Sequence, residues 1–225
     1  MKKILFFDAV GTLFHLPRGV GWHYRDVAKR HACTLDEGLL NRSFREAWKE
    51  MASRPMTGTA RPDDDKGWWR ILVKRVLDRC QLAPEALYRD AYFEELYREF
   101  TRPGIWELYP EVPEVLNALS RDFRLGIVSN FDGRLRSILG HLGLLKTFDP
   151  VIISSEVGVD KPHELIFQRA LTQSGMLPAE AMHVGDDPIC DWQGAAAAGL
   201  DVFRLNRPAN SLLDLAASLT IQSAS

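Results

Sequence analysis

From Trp106 onward the chain keeps one rhythm, a helical stretch followed by a short apolar run, four times over. Helical patterns at 110–119, 133–142, 162–174 and 188–198 alternate with strand patterns at 124–129 (RLGIVS), 151–154, 181–185 (AMHVG) and 201–205. Strands separated by helices pair in parallel through right-handed crossovers. The order therefore predicts an α/β fold, a doubly wound parallel sheet of Rossmann-like type. Fully buried parallel strands read as unbroken apolar runs, and Ile4-Leu5-Phe6-Phe7 is one more. The opening strand belongs to the same sheet. Between it and Trp106 strand patterns vanish, and helical periodicity takes over at 19–31, 35–54, 63–80 and 84–101. The expected organisation is an α/β core built from 1–15 and 106–225, with an all-helical cap domain, 16–105, inserted after the first strand. Within the insertion, Asp63-Asp64-Asp65 reads as an acidic first helical turn and Pro84 as a first helical residue. Residues 55–63 (PMTGTARPD) read as a polar loop, and the tail after Asn210 as one amphipathic helix.

Composition excludes more than it identifies. A chain of 225 residues can bury a full core and still carry an insert. A net charge of -2 gives no electrostatic case for nucleic acid or an anionic membrane. Cys33, Cys80 and Cys190 lack metal-ligand spacing and read as reduced thiols. The apolar run after Met1-Lys2-Lys3 stops at Asp8, too early for a secretory h-region. No stretch approaches the length of a membrane span. The expectation is a soluble, cytoplasmic protein.

The chemistry sits where the strands end. Open α/β sheets bind their ligands at the C-terminal edge of the strands. Asp8 closes the first strand, Ser129-Asn130 the second and Asp186-Asp187 the fourth, while Lys161 follows the third and precedes a helix at Pro162. Carboxylates, a hydroxyl, an amide and an ammonium suit an oxyanion together with a hard divalent cation such as Mg²⁺. Plainer readings stand beside this one. A strand-end Asp also caps helices, which is the reading for Asp132, and Asp191 also fits a solvated first turn. Trp22, Trp48, Trp68 and Trp69 read as core of the insertion, and His15 as packed. Arg18, Arg54, Arg61 and Lys66 read as solvent-facing cations.

Four segments, Asp8-Ala9-Val10-Gly11-Thr12-Leu13, Ser129-Asn130, Lys161-Pro162 and Gly185-Asp186-Asp187 with Asp191, occur in order. On these the chain resembles the haloacid dehalogenase (HAD) superfamily over essentially its whole length. The insertion resembles the helical cap of its dehalogenase-and-phosphatase branch. The resemblance implies a small phosphorylated substrate and Asp8 as nucleophile, forming an aspartyl-phosphate. It implies that Thr12, Ser129 and Asn130 bind the phosphoryl group and that Lys161 clamps nucleophile and phosphate electrostatically. It also implies Mg²⁺ held by Asp8, Asp186, the main-chain carbonyl of Val10, and Asp187 or Asp191.

Val10 departs from that pattern. The family's phosphatases carry there an aspartate that protonates the leaving group and then activates water. Such help is typically worth on the order of 10²–10⁴-fold, and phosphomonoester turnover is expected to suffer accordingly. The 2-haloacid dehalogenases are the alternative, since halide leaves without a proton. They resemble the first segment but lack the Gly-Asp-Asp acids and work without Mg²⁺. Phosphonoacetaldehyde hydrolases also have a small apolar residue at this position. They need a Schiff-base lysine from the insertion, and Lys66 and Lys74 read instead as solvated. A catalytically weak phosphate-binding or interaction protein is the third reading.

Overall fold

The computed structural model describes residues 2–80 and 84–223; Met1 and the last two residues of the expected tail helix lie outside that description. The chain opens with β1 (Ile4–Phe7) and a two-residue strand β2 (Phe14–His15). Four helices follow, α1 (Gly19–Arg30), α2 (Glu37–Glu50), α3 (Lys66–Arg79) and α4 (Asp90–Glu99). Next come β3 (Glu107–Leu108), α5 (Val112–Leu119), β4 (Arg124–Ser129) and α6 (Arg134–His141). The remainder is β5 (Val151–Ile153), α7 (Ser154–Val157), α8 (Glu164–Ser174), β6 (Ala181–Gly185), α9 (Gly194–Ala197), β7 (Asp201–Arg204) and α10 (Leu212–Ser223).

The main sheet runs β5-β4-β1-β6-β7 with every pairing parallel, so the expected doubly wound α/β fold is the one observed. β1 is central because all four of its side chains are apolar and fully buried. From β1 the chain winds outward through β4 and β5, then returns to the other side as β6 and β7. Order reverses beside β1, the place where open α/β sheets form their crevice. Register does the rest. Phe7 pairs with both Ile127 and Val184, so Asp8, Ser129 and Asp186 leave three adjacent strands at nearly one level.

The chain forms two compact units. One comprises 1–15, 55–61 and 107–225, the other 16–54 and 62–106. The α/β unit packs Ile4, Phe6, Val128, Ile152 and Phe167 in its core. The helical unit packs Tyr24, Val27, Leu40, Leu72, Val76 and Tyr92. The buried Tyr92 hydroxyl donates to the Tyr24 carbonyl at 3.2 Å, satisfying the one polar atom that burial would otherwise penalise. Residues 55–61 lie in the stretch expected as insertion, yet they group with the α/β unit. Thr57 N donates to the Gly158 carbonyl at 2.9 Å and Arg61 N to the Ser155 carbonyl at 2.8 Å.

Several local expectations need correction. α3 starts at Lys66 because Asp64 and Asp65 hold left-handed backbone (φ 51° and 62°), while Asp63 accepts from Gly67 N at 2.8 Å. The acids make a turn and a cap rather than a first turn. Pro84 precedes a 3₁₀ turn, Glu85–Tyr88, and α4 begins only at Asp90. The expected helix at 188–198 divides into a wide turn, Pro188–Gln193, and α9. The Arg54 side chain is only 7% exposed, ion-paired with Asp65 at 3.2 Å and stacked on Trp68 at 4.1 Å, rather than solvent-facing. Arg61 is buried, donating to Asp160 Oδ1 at 2.9 Å. Trp48 is exposed, not core. Among the described residues no helix is long and apolar enough to cross a membrane.

Candidate active site

β1 delivers Asp8 to the sheet edge, where its backbone N–H still bonds the Val184 carbonyl at 2.9 Å. The chain then turns sharply, with Gly11 at φ 88°. That φ demands glycine, and a Cβ there would stand 2.4 Å from Asp186 Oδ2 and push the carboxylate out of place. The turn returns Thr12, fully buried, to donate to Asp186 Oδ1 at 3.2 Å. Val10 stands at the outer side of the same turn with its side chain exposed.

One oxygen each from Asp8, Asp186 and Asp191 lie within 4.8 Å of one another. The buried Lys161 ammonium sits between two of them, 2.6 Å from Asp8 Oδ1 and 2.6 Å from Asp191 Oδ1. Asp191 Oδ1 also meets His183 Nε2 at 2.8 Å, and its Oδ2 accepts from Asp187 N at 3.0 Å. Three carboxylates face one ammonium, leaving two negative charges when all are ionised. The electrostatics follow. Burial pushes the Asp8 carboxyl up, against the pull of Lys161, and the neighbouring Asp191 adds to the push. Burial, then the charges of Asp8 and Asp191, raise Asp186 to about 6. Burial acts against Asp191 as well, but Lys161 and the His183 hydrogen bond outweigh it and hold that carboxyl well below the usual range. Burial also opposes the Lys161 charge, and Asp8 and Asp191 overcome it, so the ammonium is firmly protonated.

The expected residues divide on this geometry. Asp8, Thr12, Lys161, Asp186 and Asp191 converge, and Ser129 is buried at the end of β4 on the same edge. Asn130, expected to bind phosphate, spends both ends of its amide on the Lys161 main chain. Its Nδ2 donates to the Lys161 carbonyl at 2.9 Å, and its Oδ1 accepts from Lys161 N at 2.6 Å. Asp187 caps the wide turn, accepting from Ile189 N at 2.8 Å and Cys190 N at 2.7 Å, and lies outside the three-carboxylate cluster. Asp191 is buried in that cluster, not a solvated first-turn acid. Asp132 accepts from Arg134 N at 3.1 Å, the capping type of contact. His15 is packed, its ring tilted against Tyr109 at a centroid distance of 4.7 Å. Lys66 pairs with Glu94 at 2.8 Å and Lys74 with Asp78 at 2.8 Å, on helix surfaces.

Two residues escaped the sequence reading. Arg207 donates to the Thr12 carbonyl at 3.2 Å while its guanidinium stacks on Tyr109 at 3.7 Å. His183 touches Asp191 from inside β6, and an imidazole in an otherwise apolar strand is the signal that points to it.

Residues 2–199 match the model of the haloacid dehalogenase-like hydrolases. The chain belongs to that family and is a hydrolase of the HAD class on an α/β Rossmann-like core. It is 34% identical over 203 residues to the Mus musculus haloacid dehalogenase-like hydrolase domain-containing protein 3, an overlap of 89% of this chain and 80% of that protein. In structure it is similar to the defluorinating L-2-haloacid dehalogenase Rha0230, with a TM-score of 0.81 and 20% identity over 97% of this chain and 95% of that one. It is similar as well to a HAD phosphatase from Thermococcus onnurineus, with a TM-score of 0.68 and 24% identity over 97% and 98%. At those identities the two structures speak for the fold, and they fall on both sides of the choice between phosphatase and dehalogenase.

Proposed function

We propose that this hydrolase is a Mg²⁺-dependent phosphatase that works through Asp8 and suits substrates whose leaving group departs without a proton. The observation that carries this is the charge of the cluster: three carboxylates within 4.8 Å, with the Lys161 ammonium as the one cation bonded to them among the described residues. The donors are all hard oxygens, and a divalent cation neutralises the surplus, so the residues fit Mg²⁺. Asp8, Asp186 and the Val10 carbonyl would hold it, with Asp191 behind. When bound, the ion supplies positive charge against the phosphoryl oxygens.

The chain's own residues do the remaining work. Asp8 attacks phosphorus; the new oxygen–phosphorus bond forms as the ester oxygen leaves with the bonding electrons. Lys161 stays protonated and holds Asp8 in line. Ser129 offers its hydroxyl to the transferring group, and Thr12, whose hydroxyl donates to Asp186, steadies that carboxylate beside it. Water then attacks the acyl phosphate, releasing inorganic phosphate and restoring Asp8. With a valine side chain at 10, nothing on that turn gives a proton to the departing oxygen. The expected substrates are aryl and acyl phosphates in preference to alkyl phosphates.

A haloacid carrying its own carboxylate would enter a site already two charges negative, which disfavours the dehalogenase reading. The test is a series of aryl and alkyl phosphates with Mg²⁺. The rate should rise steeply as leaving-group pKa falls, and both EDTA and Asp8→Asn should abolish turnover. A flat dependence, or chloride release from L-2-chloropropionate in EDTA, would overturn the reading.

A further inference from the structure

One titratable side chain behind the site has no task in that reaction. His183 is the middle residue of β6, fully buried, with Phe167 meeting its ring edge-on at a centroid distance of 5.3 Å. Its Nδ1 has no partner among the described residues, and its Nε2 lies 2.8 Å from Asp191 Oδ1. A carboxylate only accepts, so Nε2 carries the hydrogen and donates. From there the bonds continue without a gap. Asp191 Oδ1 accepts from Lys161 Nζ at 2.6 Å, and the same ammonium donates to Asp8 Oδ1 at 2.6 Å. The strand itself makes room, since a Cβ at Gly185 would stand 2.3 Å from Asp191 Cγ.

We propose that His183 is a positioning residue which, acting through Asp191, sets the Lys161 ammonium against the Asp8 nucleophile. Polar side chains are costly in the interior of a buried strand, and a valine or leucine would pack there without that cost. What the imidazole adds is a fixed donor. The Asp191 carboxylate turns freely about its last torsion unless donors hold it, and three do: His183 from β6, Asp187 N from the following loop, and Lys161 itself. Lys161 ends a long flexible stem and takes its place from its two acceptors. Removing the Nε2–H lets Asp191 and Lys161 turn as a pair, and the ammonium loses its line to Asp8.

The inference deepens the phosphatase reading and rests on it for its kinetic arm alone. Three variants, His183→Gln, His183→Leu and His183→Asn, are compared with wild type on p-nitrophenyl phosphate in Mg²⁺. Gln offers an N–H at the place of Nε2 and should keep kcat within about threefold, well under the worth of the bond to a charged group. Leu keeps the bulk without the donor and should lose kcat by on the order of tenfold to a hundredfold at unchanged KM. Asn is polar but too short to reach; it should behave as Leu does, and it replaces Leu if that variant fails to fold. A crystal structure of the Leu or Asn variant should show Lys161 Nζ beyond hydrogen-bond distance of Asp8 Oδ1. Equal kcat in the Gln and Leu variants, or a variant crystal keeping both lysine contacts, overturns the proposal. A wild type inert on every aryl phosphate sinks the phosphatase reading instead, and the crystal structure still decides the role of His183.

Discussion

At the scale of single residues, Val10 decides what the site can do. It shares the turn with Gly11 and Thr12 and is 37% exposed, so a carboxylate there keeps its contact with water. Val10→Asp is therefore expected to fold and to gain at least about tenfold in kcat on alkyl phosphates, a floor set below the roughly 10²–10⁴-fold that well-placed acid–base help provides. The gain on p-nitrophenyl phosphate should be much smaller, because nitrophenolate needs no proton to leave. Measuring both substrates with both proteins separates a restored acid from a general change in the site; equal gains would count against the assignment. The residues around Val10 differ in how well the sequence announces them. Asp8, Lys161 and Asp186 follow apolar strands, and strand ends share an edge, so their meeting could be read in advance. Asn130 and Asp187 stand at the same edge with their side chains turned to main-chain partners. Position along the chain does not tell that the Asn130 amide turns to the Lys161 peptide, or that Asp187 turns to the N–H groups of Ile189 and Cys190.

At the scale of elements, periodicity located the long helices and the strands of the main sheet, and the late start of α3 has a local cause: backbone that leaves the regular regions. Asp64 and Asp65 go left-handed and delay α3. Residues 55–61 are the larger surprise. Polar, proline-flanked and without periodicity, they read as an idle loop, but they form a strap on the segment leading to Lys161. Thr57 N bonds the Gly158 carbonyl, and the Arg61 guanidinium bonds Asp160, one residue before the lysine. Gly158 is what permits the strap. It has φ 75°, and a Cβ there would stand 2.0 Å from the Thr59 carbonyl oxygen. Gly158→Ala is therefore expected to displace the strap while the sheet stays intact. Each 1.4 kcal/mol of docking lost raises the open population about tenfold, and cleavage within 55–61 by a dilute protease should accelerate in proportion. Unchanged cleavage would mean that other contacts hold the strap without this close approach.

At the scale of the whole molecule, the chain carries two separate cores, one of them purely helical, and that core holds its own buried titratable residue. His23 on α1 is 2% exposed, with its Nδ1 3.6 Å from Glu99 Oε1 and its ring against Trp22 and Phe100. Glu99 is already engaged by Arg30 at 2.9 Å and Arg102 at 2.8 Å. Burial lowers the His23 pKa; Glu99 and Asp26 oppose this, and Arg18 reinforces it. The unfolded chain therefore binds a proton at this residue at a higher pH than the folded one does. Stability from neutral His23 is fully present above the unfolded value of about 6.5 and is lost as pH falls through it. His183 has the same sign, burial again lowering its pKa, and Asp186 has the opposite one. Wild type alone would mix these three with Asp8, whose carboxyl burial also pushes up. His23→Phe keeps an aromatic ring among Trp22 and Phe100 and removes only the first, so the difference between the two melting curves isolates it. Glu99 does not intrude: Arg102 and Arg30 outweigh burial and hold its carboxyl below the ordinary range, so it protonates only in stronger acid. Between pH 7.5 and 5, wild-type Tm is expected to fall more steeply than that of His23→Phe, with the gap opening below about pH 6.5. Parallel curves across that range would mean that His23 titrates alike in the folded and unfolded chain.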